Sequence, residues 1–180
     1  MPDPVYFDTS AAVCYGLALA GSPEERDAAG KKTVEKILGS DAKVAASPVT
    51  LSEYCSVMHT CLRKTEGWFQ NFGEDEVNRA EGELMGLISK NRLRIRQIGP
   101  RAFEMGMSYV SAASRDHGRA FKAWDAMHLY EASRWARELG SQVVLATADA
   151  DFGKFIELFP EFSAHIRVLD VVGDVEGDGS

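Results

Sequence analysis

Short apolar runs alternate with helix-spaced apolar positions along this chain, and each change of period marks a new element. Val5-Tyr6-Phe7 is β-branched and aromatic, as a buried strand is, and Thr9-Ser10 with the alanine-rich stretch to Ala20 reads as a helix that begins at once. Ser22 as a cap, Pro23 at the first helical position and the acids Glu24 and Glu25 predict a second helix, running to about Leu38 and stopped by Gly39. Lys43-Val44-Ala45-Ala46 reads as a second strand. Ser47-Pro48 then opens a helix with Leu51, Tyr54, Cys55, Met58 and Leu62 at helical spacing. Between Gly67 and Gly73 the pattern breaks in an aromatic loop containing Trp68, Phe69 and Phe72. Such a loop stacks on bases, receives a partner helix or folds back as a satellite of the core.

Residues 74–90 form a polar helix whose inner stripe is Val77, Leu84, Leu87 and Ile88, and Arg92-Leu93-Arg94-Ile95-Arg96 alternates as a half-buried strand does. Its three arginines would either touch phosphates or form the charged face of an edge strand. Pro100 is expected to start a long helix carrying Phe103, Met107, Val110 and Ala113. A further helix over residues 122–139 has Ala126, Leu129, Tyr130 and Ala136 on one face and Gly140 as its stop. Gln142-Val143-Val144-Leu145-Ala146 is the clearest buried strand, followed by a short helix at 155–158 and a last strand at 166–169. Strands alternating with helices through short turns indicate an α/β fold, a central parallel sheet of about five strands with helices on both faces.

Composition narrows this picture only a little. The chain has 180 residues, enough for one well-buried domain, and a hydrophobic fraction of 45% with 26% charged residues is that of an ordinary globule. The domain is expected over residues 1–170 and an acidic, flexible tail over 171–180. The formal charge of −7 argues against bulk electrostatic attachment to nucleic acid, although four of the acids lie from Asp170 onward with no base among them. Cys14, Cys55 and Cys61 lack metal-site spacing and fall in helical patterns, as reduced residues of a cytoplasmic protein do. The longest apolar stretch, 11–20, is half of the ~20 residues a membrane helix requires, so no membrane association is expected.

Four acids stand out by position. Asp8 and Asp149 lie just beyond strand ends, whereas Glu53 and Asp125 lie in the first turns of helices. Each has a plain explanation: Asp8 can cap a helix, Thr50-x-x-Glu53 fits a capping box, and Asp125 suits a helix dipole. In a right-handed α/β fold, however, the carboxyl ends of strands and the starts of the following helices share one edge, so all four could face one crevice. Two bare carboxylates ~4 Å apart repel by about 4 kcal/mol at an effective dielectric of 20, so such a cluster calls for cations or protons. An oxygen-only donor set favours Mg2+ or Mn2+ over zinc. Arg115, Arg119 and Lys122, just before Asp125, are candidate phosphate contacts or ordinary surface charges. His128, one turn beyond Asp125, could approach the site or serve as a hydrogen-bonded core histidine.

The strand ending in Phe7-Asp8-Thr9-Ser10, the helix with Leu51-Ser52-Glu53-Tyr54, the helix with Trp124-Asp125-Ala126-Met127-His128-Leu129 and the strand ending in Ala146-Thr147-Ala148-Asp149-Ala150-Asp151-Phe152 together resemble the PIN-domain ribonucleases. Within them the chain is most similar to VapC-type toxins of type II toxin–antitoxin pairs, over roughly residues 4–170. The resemblance implies a three-layer α/β/α fold and a cytoplasmic Mg2+- or Mn2+-dependent endoribonuclease. It further implies Asp8, Glu53, Asp125 and Asp149 as catalytic metal-binding acids, Asp151 as an auxiliary acid, and Thr147 and Ser10 as supporting polar groups. It also implies an RNA substrate, a small antitoxin partner and a homodimer. The segment between Glu53 and Asp125 is longer than the family pattern. Other readings are a housekeeping RNA-processing nuclease, a catalytically idle RNA- or protein-binding module, and a phosphatase with Asp8 as nucleophile. The last would want a second acid where Ser10 stands, and an idle site would have no reason to keep all four acids.

Overall fold

The computed structural model describes residues 2–64, 66–67, 69, 72–117 and 121–173. Five strands, β1 (Val5–Phe7), β2 (Val44–Ala46), β3 (Arg94–Ile95), β4 (Val143–Thr147) and β5 (Ile166–Asp170), form one sheet in the order β3-β2-β1-β4-β5. Every pairing is parallel, with Val5 beside both Val44 and Val144. The inner strands β1, β2 and β4 are buried along their length and end where the chain turns into the next helix, whereas the edge strands β3 and β5 are partly exposed. Successive side chains feed opposite layers. Val5, Phe7, Val44, Ala46, Val144 and Ala146 join one core with α1 (Thr9–Leu19), α2 (Glu25–Gly39), α3 (Pro48–Cys61) and α4 (Glu74–Ser89). Tyr6, Ala45, Val143 and Leu145 join the other, packed by α6 (Ala123–Leu139), α7 (Asp151–Leu158) and residues of α5 (Ala102–His117). This is the α/β/α sandwich that the alternation predicts.

Several boundaries differ from expectation, each for a local reason. The second helix begins at Glu25 instead of Pro23, because the Ser22 hydroxyl donates to Asp27 and gives the helix no cap. α7 begins at Asp151, four residues early, since the Asp151 N–H is taken by Asp149 Oδ1 in a tight turn off β4. The long helix α5 starts at Ala102. Of its expected inner positions Ala113 is buried and Val110 packs against the second core, whereas Phe103 and Met107 are exposed and Ala102 and Gly106, one residue earlier, are buried in their place. A Cβ on Gly106 would come within 2.8 Å of Met127 Cγ, so α5 approaches α6 along its small residues. At the far end the folded body passes residue 170: Val171 is buried and its N–H donates to the Thr147 carbonyl. Of the aromatic loop, Phe72 is buried and meets Phe69 edge-on, and Trp68 lies outside the described residues. Residues 174–180 of the acidic tail lie outside them too. The third strand is shorter than expected, Arg94–Ile95, and of the flanking arginines Arg92 donates to the Ser40 carbonyl and Arg96 pairs with Glu138. No helix among the described residues is long and apolar enough to cross a membrane.

Candidate active site

A parallel sheet collects every strand-to-helix turn at one edge, and in this chain that edge holds the acids. Asp8 follows β1, caps α1 through a hydrogen bond from the Ala11 N–H, and is buried. Two hydroxyls complete its surroundings. Ser10 Oγ lies 3.0 and 2.9 Å from the two carboxylate oxygens, and Thr147 Oγ1 donates to Oδ2 at 2.9 Å. Each hydroxyl is itself polarised by an amide of the loop after β4, Ala148 N–H donating to Ser10 and Asp149 N–H to Thr147. The Asp8 carboxylate is therefore locked in orientation by the loop that carries Asp149. Burial pushes its pKa up, against the pull of His128 and of these hydrogen bonds.

Glu53 reaches the same cleft from α3. The capping box of that helix is made by Ser47 and Thr50, which leaves the Glu53 carboxylate free of backbone duty. Thr9 Oγ1 donates to Glu53 Oε2 in a short hydrogen bond, and His128 Nε2 lies 3.5 Å from the same oxygen. His128 is buried, with Nδ1 3.4 Å from the Tyr6 hydroxyl. A carboxylate can only accept, so Nε2 donates to Glu53. Burial alone would raise the Glu53 pKa, but the hydrogen bonds from His128 and Thr9 and the attraction of His128 and Lys122 hold it below the usual range. His128 is thus both a buried histidine and part of the cleft.

Asp125, in the first turn of α6, is pushed up to about 6 by burial, with Asp149 and Asp8 adding repulsion that Lys122 and His128 partly offset. Lys122 Nζ stands 4.0 Å from Asp149 Oδ2. Asp8, Thr9, Ser10, Glu53, Lys122, Asp125, His128 and Asp149 all line one open cleft of about 350 Å3. Of the remaining candidates, Asp151 is ion-paired with Lys154 and Arg115 with Asp116, and neither lines the cleft. Arg119 lies outside the described residues. Thr9 and Arg26 line the cleft although the sequence pattern did not single them out. Arg26 lines the cleft and its guanidinium donates to the Ala148 carbonyl, pinning the loop that bears Asp149.

The donor set in this cleft is oxygen-rich and over-charged, which suits a hard divalent cation. Among the described residues no three His, Cys, Asp or Glu side chains are grouped closely enough to hold a metal as they stand. Mutual repulsion of bare carboxylates spreads such a set, and a cation reverses the sign of that term.

No protein-family model and no curated protein matches the chain. Solved structures do match its fold. The crystal structure of the Mycobacterium tuberculosis toxin VapC20, which cleaves the sarcin-ricin loop, is similar over 83% of this chain and 93% of that chain, at a TM-score of 0.54 and 18% identity. The resemblance carried by the four motifs therefore holds at the level of the fold.

Proposed function

We propose that the protein is a divalent-metal-dependent endoribonuclease that hydrolyses RNA phosphodiester bonds with water, and that it acts as the toxin of a toxin–antitoxin pair. The observation that carries the first part is the gathering of Asp8, Glu53, Asp125 and Asp149 around one cleft, with Asp125 pushed up to about 6 by burial and by the repulsion of Asp149 and Asp8. Asp8, Asp125 and Asp149 would hold Mg2+ or Mn2+, which when bound supplies Lewis acidity at the phosphate and acidifies water. Asp8 serves as the fixed anchor of this set, since Ser10 and Thr147 leave it one orientation. Glu53, kept ionised by Thr9 and His128, orients the attacking water by accepting a hydrogen bond from it. Lys122, exposed beside Asp149, contacts a phosphate oxygen and balances charge developing in the transition state.

The toxin role rests on the likeness of fold to VapC20 and on the four motifs. It entails a small antitoxin that covers the acidic cleft with a basic residue. It also entails homodimerisation and residence in the cytoplasm.

Cleavage of a mixed structured RNA pool with Mg2+, with Mn2+ and with EDTA tests the reading, alongside Asp8→Asn. Asparagine still accepts the Ala11 N–H, so this substitution removes the charge without removing the cap. We expect metal-dependent cutting that falls ~10²–10³-fold in the variant, on the scale of removing a principal electrostatic group from an active site. No cutting under any metal, with RNA bound equally by both proteins, would leave a binding module in place of the enzyme.

A further inference from the structure

Beside the carboxylate cleft, and sharing Glu53 and Val57 with it, lies a second pocket of about 360 Å3, whose other lining residues have no part in the proposed hydrolysis. One wall is a single face of α3: Val49, Ser52, Glu53, Ser56 and Val57 follow the three-and-four spacing that brings residues onto one side of a helix. The other wall is Trp124, in the first turn of α6. Trp124 is 43% exposed and Val57 37% exposed, so two large apolar side chains meet solvent at the rim of a polar cleft. Large apolar side chains are normally withdrawn from water, and a pair exposed inside a concave site points to a ligand with an apolar face.

We propose that this pocket receives a nucleobase of the RNA strand, stacked on the Trp124 indole and contacted at its edge by the Ser52 and Ser56 hydroxyls. The inference rests on the ribonuclease reading and gives it a substrate-positioning subsite. Trp124 precedes Asp125 directly, and its pocket shares Glu53 and Val57 with the carboxylate cleft, so an RNA strand held in the cleft can place a neighbouring base against the ring. Charge argues the same way. A chain of formal charge −7 gains little from bulk attraction to RNA, so contacts that do not depend on charge carry more of the affinity, and stacking on an aromatic face is one. The indole face accepts any base, whereas the two hydroxyls, which both donate and accept, can favour some base edges over others.

The test uses full-length protein carrying Asp8→Asn and short single-stranded RNAs with 2-aminopurine placed at each position in turn. Fluorescence should be quenched at one position, and adding Trp124→Ala should abolish that quenching and weaken binding about tenfold, with Trp124→Tyr restoring part of both. The salt dependence of binding should stay the same in Trp124→Ala, because no charge is removed, whereas Lys122→Ala should flatten it. In the cleaving protein Trp124→Ala should raise KM with little change in kcat and reduce preference for the flanking base. Binding unchanged within twofold in a normally folded Trp124→Ala protein would overturn the proposal. So would a change confined to oligomeric state, which would assign the pocket to a second copy of the chain. Failure of the nuclease reading is distinct: RNA would still stack on Trp124, but the unsubstituted protein would not cut it with any metal.

Discussion

A carboxyl group shielded from water and faced by others of its own sign releases its proton late, and Asp125 does so at about 6 instead of 3.8. The stability consequence has a definite sign. A raised folded-state pKa means that the native protein binds the proton more tightly than the unfolded chain. Its contribution is fully present below about 4 and is lost as pH rises to about 6. At pH 7 the ionised Asp125 therefore burdens the fold. Asp125→Asn should raise the melting temperature at pH 7 by about 3 °C, taking about 1 kcal/mol after allowance for partial exposure, and change it little at pH 4. Paired thermal melts at the two pH values check this. Cleavage should move the opposite way, vanishing in the variant. Glu53 shows what the sequence conceals at this scale. Its spacing from Thr50 mimics a capping box, yet with Ser47 as cap and Thr50 in the third helical position, Glu53 sits nearly a turn too far along to reach the cap. Its true partners, Thr9 and His128, come from other elements, and no local pattern announces them.

Helices in this fold are placed by what their small residues allow. Gly16 on α1 faces the Tyr54 ring on α3 so closely that an added Cβ would lie 2.4 Å from its hydroxyl and 2.5 Å from Cε2. Gly16→Ala gains helix propensity of about 1 kcal/mol but must push a buried ring aside, at about 1–3 kcal/mol or more in a close-packed core. The net effect should be destabilising, read as a lower urea midpoint. The Tyr54 hydroxyl is buried without a hydrogen-bond partner among the described residues, and burial holds its pKa up. Tyr54→Phe should therefore be neutral or stabilising by up to about 1 kcal/mol, and combined with Gly16→Ala it should recover part of the loss by removing one clashing atom. The same logic explains the misplaced phase of α5. Apolar bulk marks Phe103 and Met107 as inner positions, but Gly106 sets the approach to α6, so in the first half of the helix the buried positions, Ala102 and Gly106, lie one residue earlier. The inner strands were legible because burial on both faces leaves runs of apolar residues, and β3 because charged and apolar residues alternate there, whereas helix phase depends on partners that periodicity does not name.

At the scale of the molecule, parallel strands and short turns were readable from alternation alone, while the strand order was not, because pairing between β1 and β4 spans most of the chain. That long-range pairing is what sets Asp8 against the loop of Asp149, and it makes the acidic edge a property of the whole fold. A ligand that binds only the folded edge must then stabilise the whole fold. A divalent cation at 100 times its dissociation constant contributes about 2.7 kcal/mol, which for a chain of 180 residues corresponds to a rise of about 5–10 °C in melting temperature. Mn2+ and Mg2+ should each produce such a rise at pH 7.5, and EDTA should reverse it. The shift should shrink at pH 5, where Asp125 holds its proton and one carboxylate is withdrawn from the set. It should be lost in Asp8→Asn and Asp149→Asn but kept in Asp151→Asn, whose side chain is paired with Lys154 away from the cleft. A shift of full size in all three variants would place the cation elsewhere and remove the cleft as a metal centre. A shift lost in the first two and weakened at low pH would tie cation binding, the raised Asp125 and the strand topology to one site.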